Sequence, residues 1–275
     1  MAETNLNCQA VGVFDSGVGG LSVLAALLDH LPHERFDFVA DERYLPYGDK
    51  PQHEISDRVL TLSHWLHNRG CKAMVMACNT ATAAAAGQAR ATYANWPIVG
   101  MEPAVKPASL MTRTGVVGIL ATTNTVASAR FKNLVERYEP LARVIAKPCP
   151  GLVELIETCP LPQTDIENLL EPLVHDLLNH QADVIERLAL GEERDRAVVG
   201  VDREVVARIA HVDGPAAQLR RAAPAFVPAE DRRQYARGAV GVADGEVHMF
   251  DKGVRHGVAF VIRVDAPVYE SSTEV

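Results

Sequence analysis

The stretch that most constrains the fold is MVMACNTATAAAA, residues 74–86. Residues 73–77 are an apolar run of strand length, and the segment after Cys78-Asn79-Thr80 is alanine-rich, as a helix would be. A strand that feeds straight into a helix is the building unit of an α/β sheet. The junction also sets a lone thiol at a helix amino terminus. Unpaired N–H groups and partial positive charge there favour thiolate. A favourable helix end is worth up to ~2 kcal/mol and a pKa unit about 1.4 kcal/mol, so Cys78 is expected to fall from about 8.5 toward about 7. At that value it would serve as a general base near neutral pH. The alternative at this point is a small apolar cysteine ending a core strand.

The same unit recurs along the chain. Residues 11–14 are a short apolar strand running into DSGVGG (15–20) and then LSVLAALLDHL, where Leu21, Leu24, Ala25, Leu28 and Leu31 recur at helical spacing. Asp15 and Ser16 would sit at the strand's carboxyl end, where open α/β sheets bind ligands. The glycines allow close backbone approach to a ligand, though such turns are common in any α/β protein. Residues 36–40 form a second strand, leading to a turn rich in Pro, Gly and Tyr (41–50). Tyr47-Gly48 would place a ring and a backbone amide over a ligand, or form a plain surface turn. Residues 55–69 read as a helix, with Ile55, Val59, Leu62 and Leu66 on its apolar face. From Pro97 the pattern starts again, with strands at 98–100 and 115–121. TTNTVASAR follows with hydroxyls at Thr122, Thr123, Thr125 and Ser128, and then a helix at 130–138. Thr164 and Glu167 have capping-box spacing at the head of another amphipathic helix. Two such series predict an α/β fold with two similar parallel-sheet lobes and a cleft between them.

Composition narrows the function. A chain of 275 residues, 48% hydrophobic with net charge −8, suits a soluble protein and argues against nucleic acid as its main partner. Residues 1–10 lack the basic and apolar regions of a signal peptide, and no apolar run reaches the roughly 18 residues of a membrane helix. The five cysteines are odd in number and lack CxxC spacing, so they read as reduced cytoplasmic thiols and not as a disulfide frame or zinc site.

Six ordered motifs carry a family resemblance: VGVFDSGVGGLSVL, PYG, ACNTATAAA, GMEPAVKPA, GVVGILATTNTVAS and PCPGLVELIE. Over roughly residues 10–183 the chain resembles glutamate racemase. That resemblance implies two α/β lobes with the active site in the cleft, no metal or other cofactor, and glutamate as substrate, with D-glutamate supplied to peptidoglycan. It implies Cys78 as one of two proton donor–acceptors on opposite faces of the substrate α-carbon. It implies Asp15 and Ser16 beside the thiol, and Tyr47, Gly48, Asn79, Thr80, Thr122 and Thr125 as substrate-binding residues. Glu157 falls near a family acidic position. By this reading the lobes are 1–100 and 101–206, with 207–275 returning to the first. A homodimer is compatible with it.

The chain departs from the family where a second thiol should follow Ala182-Asp183 in a Gly-Cys-Thr-His sequence. It reads ADVIERLALGEERDRAVVGVDREVV instead, and no cysteine follows Cys159. One alignment puts Glu192, Glu193 and Arg194 in the Cys-Thr-His places. The other makes residues 197–201 the strand and puts Val201 at the Cys position. Residues 186–238 also hold ten Arg and no Lys, Ser, Thr, Asn or Cys, which fits either divergence or a stretch read in a shifted frame of GC-rich DNA. Two other functions stay open: a glutamate-binding or regulatory homologue without turnover, and a one-thiol enzyme on another small carboxylate.

Overall fold

The computed structural model describes residues 9–17, 19–157 and 162–186, and the backbone of three strands beyond them. In chain order the described strands are β1 (Val11–Asp15), β2 (Phe36–Ala40), β3 (Ala73–Met76), β4 (Ile98–Gly100), β5 (Val116–Ala121), β6 (Arg143–Pro148), β7 (Val184–Glu186), β8 (Val198–Gly200), β9 (Val247–Phe250) and β10 (Phe260–Val264). The helices are α1 (Gly20–His30), α2 (Gln52–Asn68), α3 (Asn79–Thr92), α4 (Val105–Met111), α5 (Thr123–Ala127), α6 (Ala129–Tyr138), α7 (Leu152–Ile156) and α8 (Gln163–Asn179).

The strands form two sheets, ordered β4-β3-β1-β2-β10-β9 and β6-β5-β7-β8. β1 to β4 run parallel, as do β5, β6 and β7. The fold is therefore α/β with two parallel-sheet regions, as expected. Each sheet also carries antiparallel strands at one edge: β10 on β2 with β9 beyond it, and β8 on β7.

Burial explains why these segments are strands. Every residue of β2 is buried, as in parallel strands covered on both faces. Asp37 within β2 is tolerated because Arg69 Nε lies 3.2 Å from its carboxylate. Val59, Leu62 and Leu66 of α2 pack with Ala81, Ala85 and Ala89 of α3 and with Met74 and Met76 of β3 in one core. A second core under β5 joins Ile166, Leu170, Val174 and Leu177 of α8 to Leu120 and Ile185. Gly118 of β5 makes room for that helix, since a Cβ there would lie 2.7 Å from Leu177 Cδ1.

The capping box does not form. α8 begins two residues early, with Pro162 at its N-cap and no side-chain cap bond, which puts Thr164 inside the first turn. β6, α4 and α7 have no counterpart among the sequence-based expectations. β6 is an edge strand of half-exposed residues with Arg, Lys and Pro, so it shows no apolar run.

Candidate active site

β1 and β3 lie side by side, and Asp15, Ser16 and Cys78 emerge together at their carboxyl ends. Cys78 is the N-cap of α3 and accepts from the Ala81 N–H at 3.4 Å. Ser16 Oγ lies 3.5 Å from its sulfur. The helix end thus holds the thiol as the sequence suggests, but the thiol's acidity runs the other way. Burial pushes Cys78 up to about 12, and the neighbouring Asp15 charge adds to this, outweighing the Ser16 and Ala81 hydrogen bonds. In the free chain the thiol is neutral at pH 7.

Asp15 is itself shifted. Its carboxylate accepts from the Gly20 N–H at 2.7 Å, yet burial, aided by Glu157, raises its pKa to about 6. Glu157 reaches this point from the end of α7, in the other region. A Cβ on Gly17 would lie 2.5 Å from Glu157 Oε1, so the glycine is what admits the carboxylate.

Two residues beyond the thiol, at the start of α3, Thr80 brings three hydroxyls together. Thr80 Oγ1 lies 2.8 Å from Thr122 Oγ1 and 3.3 Å from Thr125 Oγ1, and Thr122 and Thr125 are 2.9 Å apart. All three residues are buried. Thr80 comes from α3 and the other two from the loop and helix after β5, so the cluster joins the two sheets' carboxyl ends. Asn79 adds a buried Oδ1 with no hydrogen-bond partner among the described residues. Three donors and one unpartnered acceptor next to a thiol form a pattern suited to a small zwitterion with a carboxylate and an ammonium.

Tyr47 and Gly48 complete the set. Gly48 faces Thr122 so closely that a Cβ would lie 3.2 Å from its side chain. The Tyr47 hydroxyl donates to Asp41 at 2.6 Å. Arg58 grips the same carboxylate through Nε at 2.6 Å and Nη2 at 2.7 Å. Asp41 and Arg58 were not among the expected site residues. The available signal was a charged residue at 58 on the buried face of α2, between Ile55 and Leu62. Glu192, Glu193 and Val201 lie outside the described residues. A separate groove of about 530 Å³, lined in part by His67, Tyr93 and Trp96, sits at the amino-terminal end of β3, away from the thiol.

Comparison with known proteins places this arrangement. The Asp/Glu/Hydantoin racemase family model matches residues 21–186. The chain belongs to this family. Among its relatives is a glutamate racemase from Pseudomonas syringae pv. tomato, 52% identical over 182 residues. The match covers 66% of this chain and 66% of that relative, just under two thirds of its length. Escherichia coli glutamate racemase, solved with L-glutamate and the activator UDP-MurNAc-ala, superposes with a TM-score of 0.55 at 30% identity. That match covers 60% of this chain and 64% of the other. The glutamate racemase isoform RacE1 from Bacillus anthracis gives a TM-score of 0.57 at 27% identity, over 64% of this chain and 66% of that one.

Ser16 lies against Cys78, Thr80 bonds Thr122 and Thr125, and Gly48 packs on Thr122. Among the described residues, no group of three or more His, Cys, Asp or Glu side chains is arranged to hold a metal.

Proposed function

We propose that this chain interconverts L- and D-glutamate by cofactor-independent proton transfer, with Cys78 as the acid–base group on one face of the α-carbon. The observation that carries the reading is the pairing of that thiol, flanked by Asp15 and Ser16, with the buried hydroxyls of Thr80, Thr122 and Thr125. The hydroxyls donate to a substrate carboxylate. Asn79 Oδ1 accepts from the ammonium. Tyr47 and Gly48 act through the loop backbone and the ring, since the phenol is committed to Asp41.

The neutral thiol fits this chemistry once substrate is bound. A cationic ammonium entering a buried site stabilises an adjacent thiolate and lowers its pKa. Asp15, mostly ionised at pH 7 and electrostatically coupled to the thiol, takes up the thiol's proton. The thiolate then takes the α-proton. Inversion needs a donor on the opposite face, and we assign it to Glu192 or Glu193. A carboxyl serves there only if burial raises its pKa toward 7.

In this reading the chain supplies D-glutamate for peptidoglycan in the cytoplasm, as a homodimer. Its units are residues 1–100 and 101–206, with 207–275 returning to the first. The antiparallel pairing of β10 with β2 supports that return. Purified protein incubated with L-glutamate in D₂O, and separately with D-glutamate, tests the function. Deuterium at the α-carbon together with the opposite enantiomer supports it. A folded protein that binds glutamate and shows neither signal refutes it.

A further inference from the structure

The loop after β2 is tied to both sheets. On its own side, Tyr47 donates to Asp41, which Arg58 holds with two hydrogen bonds, and the Arg58 guanidinium also lies 4.2 Å from the Tyr44 ring centroid. Across the cleft, one residue makes three bonds to the loop. Asn124 Nδ2 donates to the Tyr47 carbonyl at 3.0 Å and the Lys50 carbonyl at 2.8 Å, and the Asn124 N–H donates to the Gly48 carbonyl at 3.1 Å. Asn124 lies on α5 between Thr122 and Thr125. The three donors of one residue therefore bind the loop that carries Tyr47 and Gly48 to the threonine cluster.

We propose that Asn124 is a positioning residue that latches the cleft shut over Cys78. Its side-chain amide has two N–H groups, and both are spent on carbonyls of the opposite region. Isosteric aspartate would set a carboxylate against those carbonyls, and alanine would leave them unpaired. Either change removes two of the three bonds and leaves the backbone bond to Gly48, so the Tyr47–Gly48 loop is loosened while Asp41, Arg58 and the hydroxyls stay in place. The inference rests on the racemase reading only for its effect on turnover. The latch itself is a statement about access to the thiol.

The test measures that access. Wild type and the variants Asn124→Ser, Asn124→Ala and Asn124→Asp are treated with iodoacetamide at one pH. Alkylation of Cys78, Cys71 and Cys149 is followed by peptide mass spectrometry. All three thiols are buried, so the latter two report general loosening. The expected result is roughly tenfold faster labelling of Cys78 in Asn124→Ala, less in Asn124→Ser, and no change at Cys149. Unchanged Cys78 labelling in both Asn124→Ala and Asn124→Asp overturns the latch. So does an equal rise at all three cysteines. In parallel, the glutamate KM is expected to rise more than kcat falls. If wild type shows no turnover, the racemase reading fails, while the labelling still decides the latch.

Discussion

Thr80, on the helix after β3, and Thr122, at the head of the helix after β5, follow strands of different sheets, and their hydroxyls meet at 2.8 Å. The Thr122 hydroxyl also caps α5, accepting from the Thr125 N–H at 3.3 Å, while among the described residues the Thr80 hydroxyl bonds only to the other two. Two buried O–H groups that bond chiefly to each other and to Thr125 are donors waiting for a stronger acceptor. Thr80→Val keeps the shape, removes one donor and leaves the Thr122–Thr125 bond. It should weaken glutamate binding roughly 10- to 100-fold, as loss of a hydrogen bond to a charged group does, with little change in melting temperature. Titration calorimetry measures this, and unchanged affinity would remove Thr80 from the carboxylate site.

The Asp41–Arg58 pair should dominate the stability of the first region. Both side chains are buried, and Asp41 is wholly enclosed. Removing one partner of a buried, hydrogen-bonded pair costs about 3–5 kcal/mol because it strands the other charge. Tyr47→Phe deletes one bond and leaves the pair, for about 1–2 kcal/mol. Urea unfolding should therefore rank Arg58→Ala well below Tyr47→Phe. The reverse order would mean the ion pair is not the anchor of this loop.

Glu186 predicts a pH dependence of stability. It is buried on β7 with one hydrogen bond, from the Ala104 N–H, and burial raises its pKa from 4.5 to about 8. The folded chain keeps this proton where the unfolded chain loses it. Its contribution is thus full below pH 4.5 and is lost as pH rises toward 8. Asp15 acts in the same direction, but only up to about 6. Between pH 6 and 8 the slope belongs mainly to Glu186, so Glu186→Gln should flatten it and raise stability at pH 8 by a few kcal/mol at most (order of magnitude only). Parallel curves for the two proteins across that window would contradict this.

The thiol should titrate late. Cys78 labelling by a neutral alkylating agent should still be accelerating at pH 10, given a pKa near 12 set by burial and then by Asp15. Asp15→Asn keeps an acceptor for the Gly20 N–H and removes the charge. Its labelling profile should shift to lower pH. A profile that does not move would show that Asp15 has no electrostatic hold on the thiol.

These predictions also mark what the sequence made legible. β1 and β5 were readable because each is an apolar run bounded by turn residues, and burial along almost its whole length leaves such a run uninterrupted. The grouping of Asp15, Ser16, Cys78, Thr122 and Thr125 was readable because each lies just past a strand's carboxyl end, where topology alone brings residues together. The direction of the Cys78 shift was not. A helix end is a local feature, whereas enclosure of the sulfur and the charge of Asp15 arise only when β1 and β3 pair. Asn124 was hidden for the same reason: its partners are backbone carbonyls of a distant loop, and carbonyls leave no mark in sequence. Edge strand β6 escaped because half-exposed positions admit Arg143 and Lys147.

The most direct test of the account compares wild type with Cys78→Ala in D₂O containing L-glutamate, following loss of the α-proton by NMR and enantiomer content by chiral separation. The account predicts exchange and D-glutamate from wild type. It predicts a loss of exchange of at least ~10²-fold in the variant, with glutamate still bound. Equal exchange by both proteins would contradict it, because the proton would then be moving through a group other than Cys78.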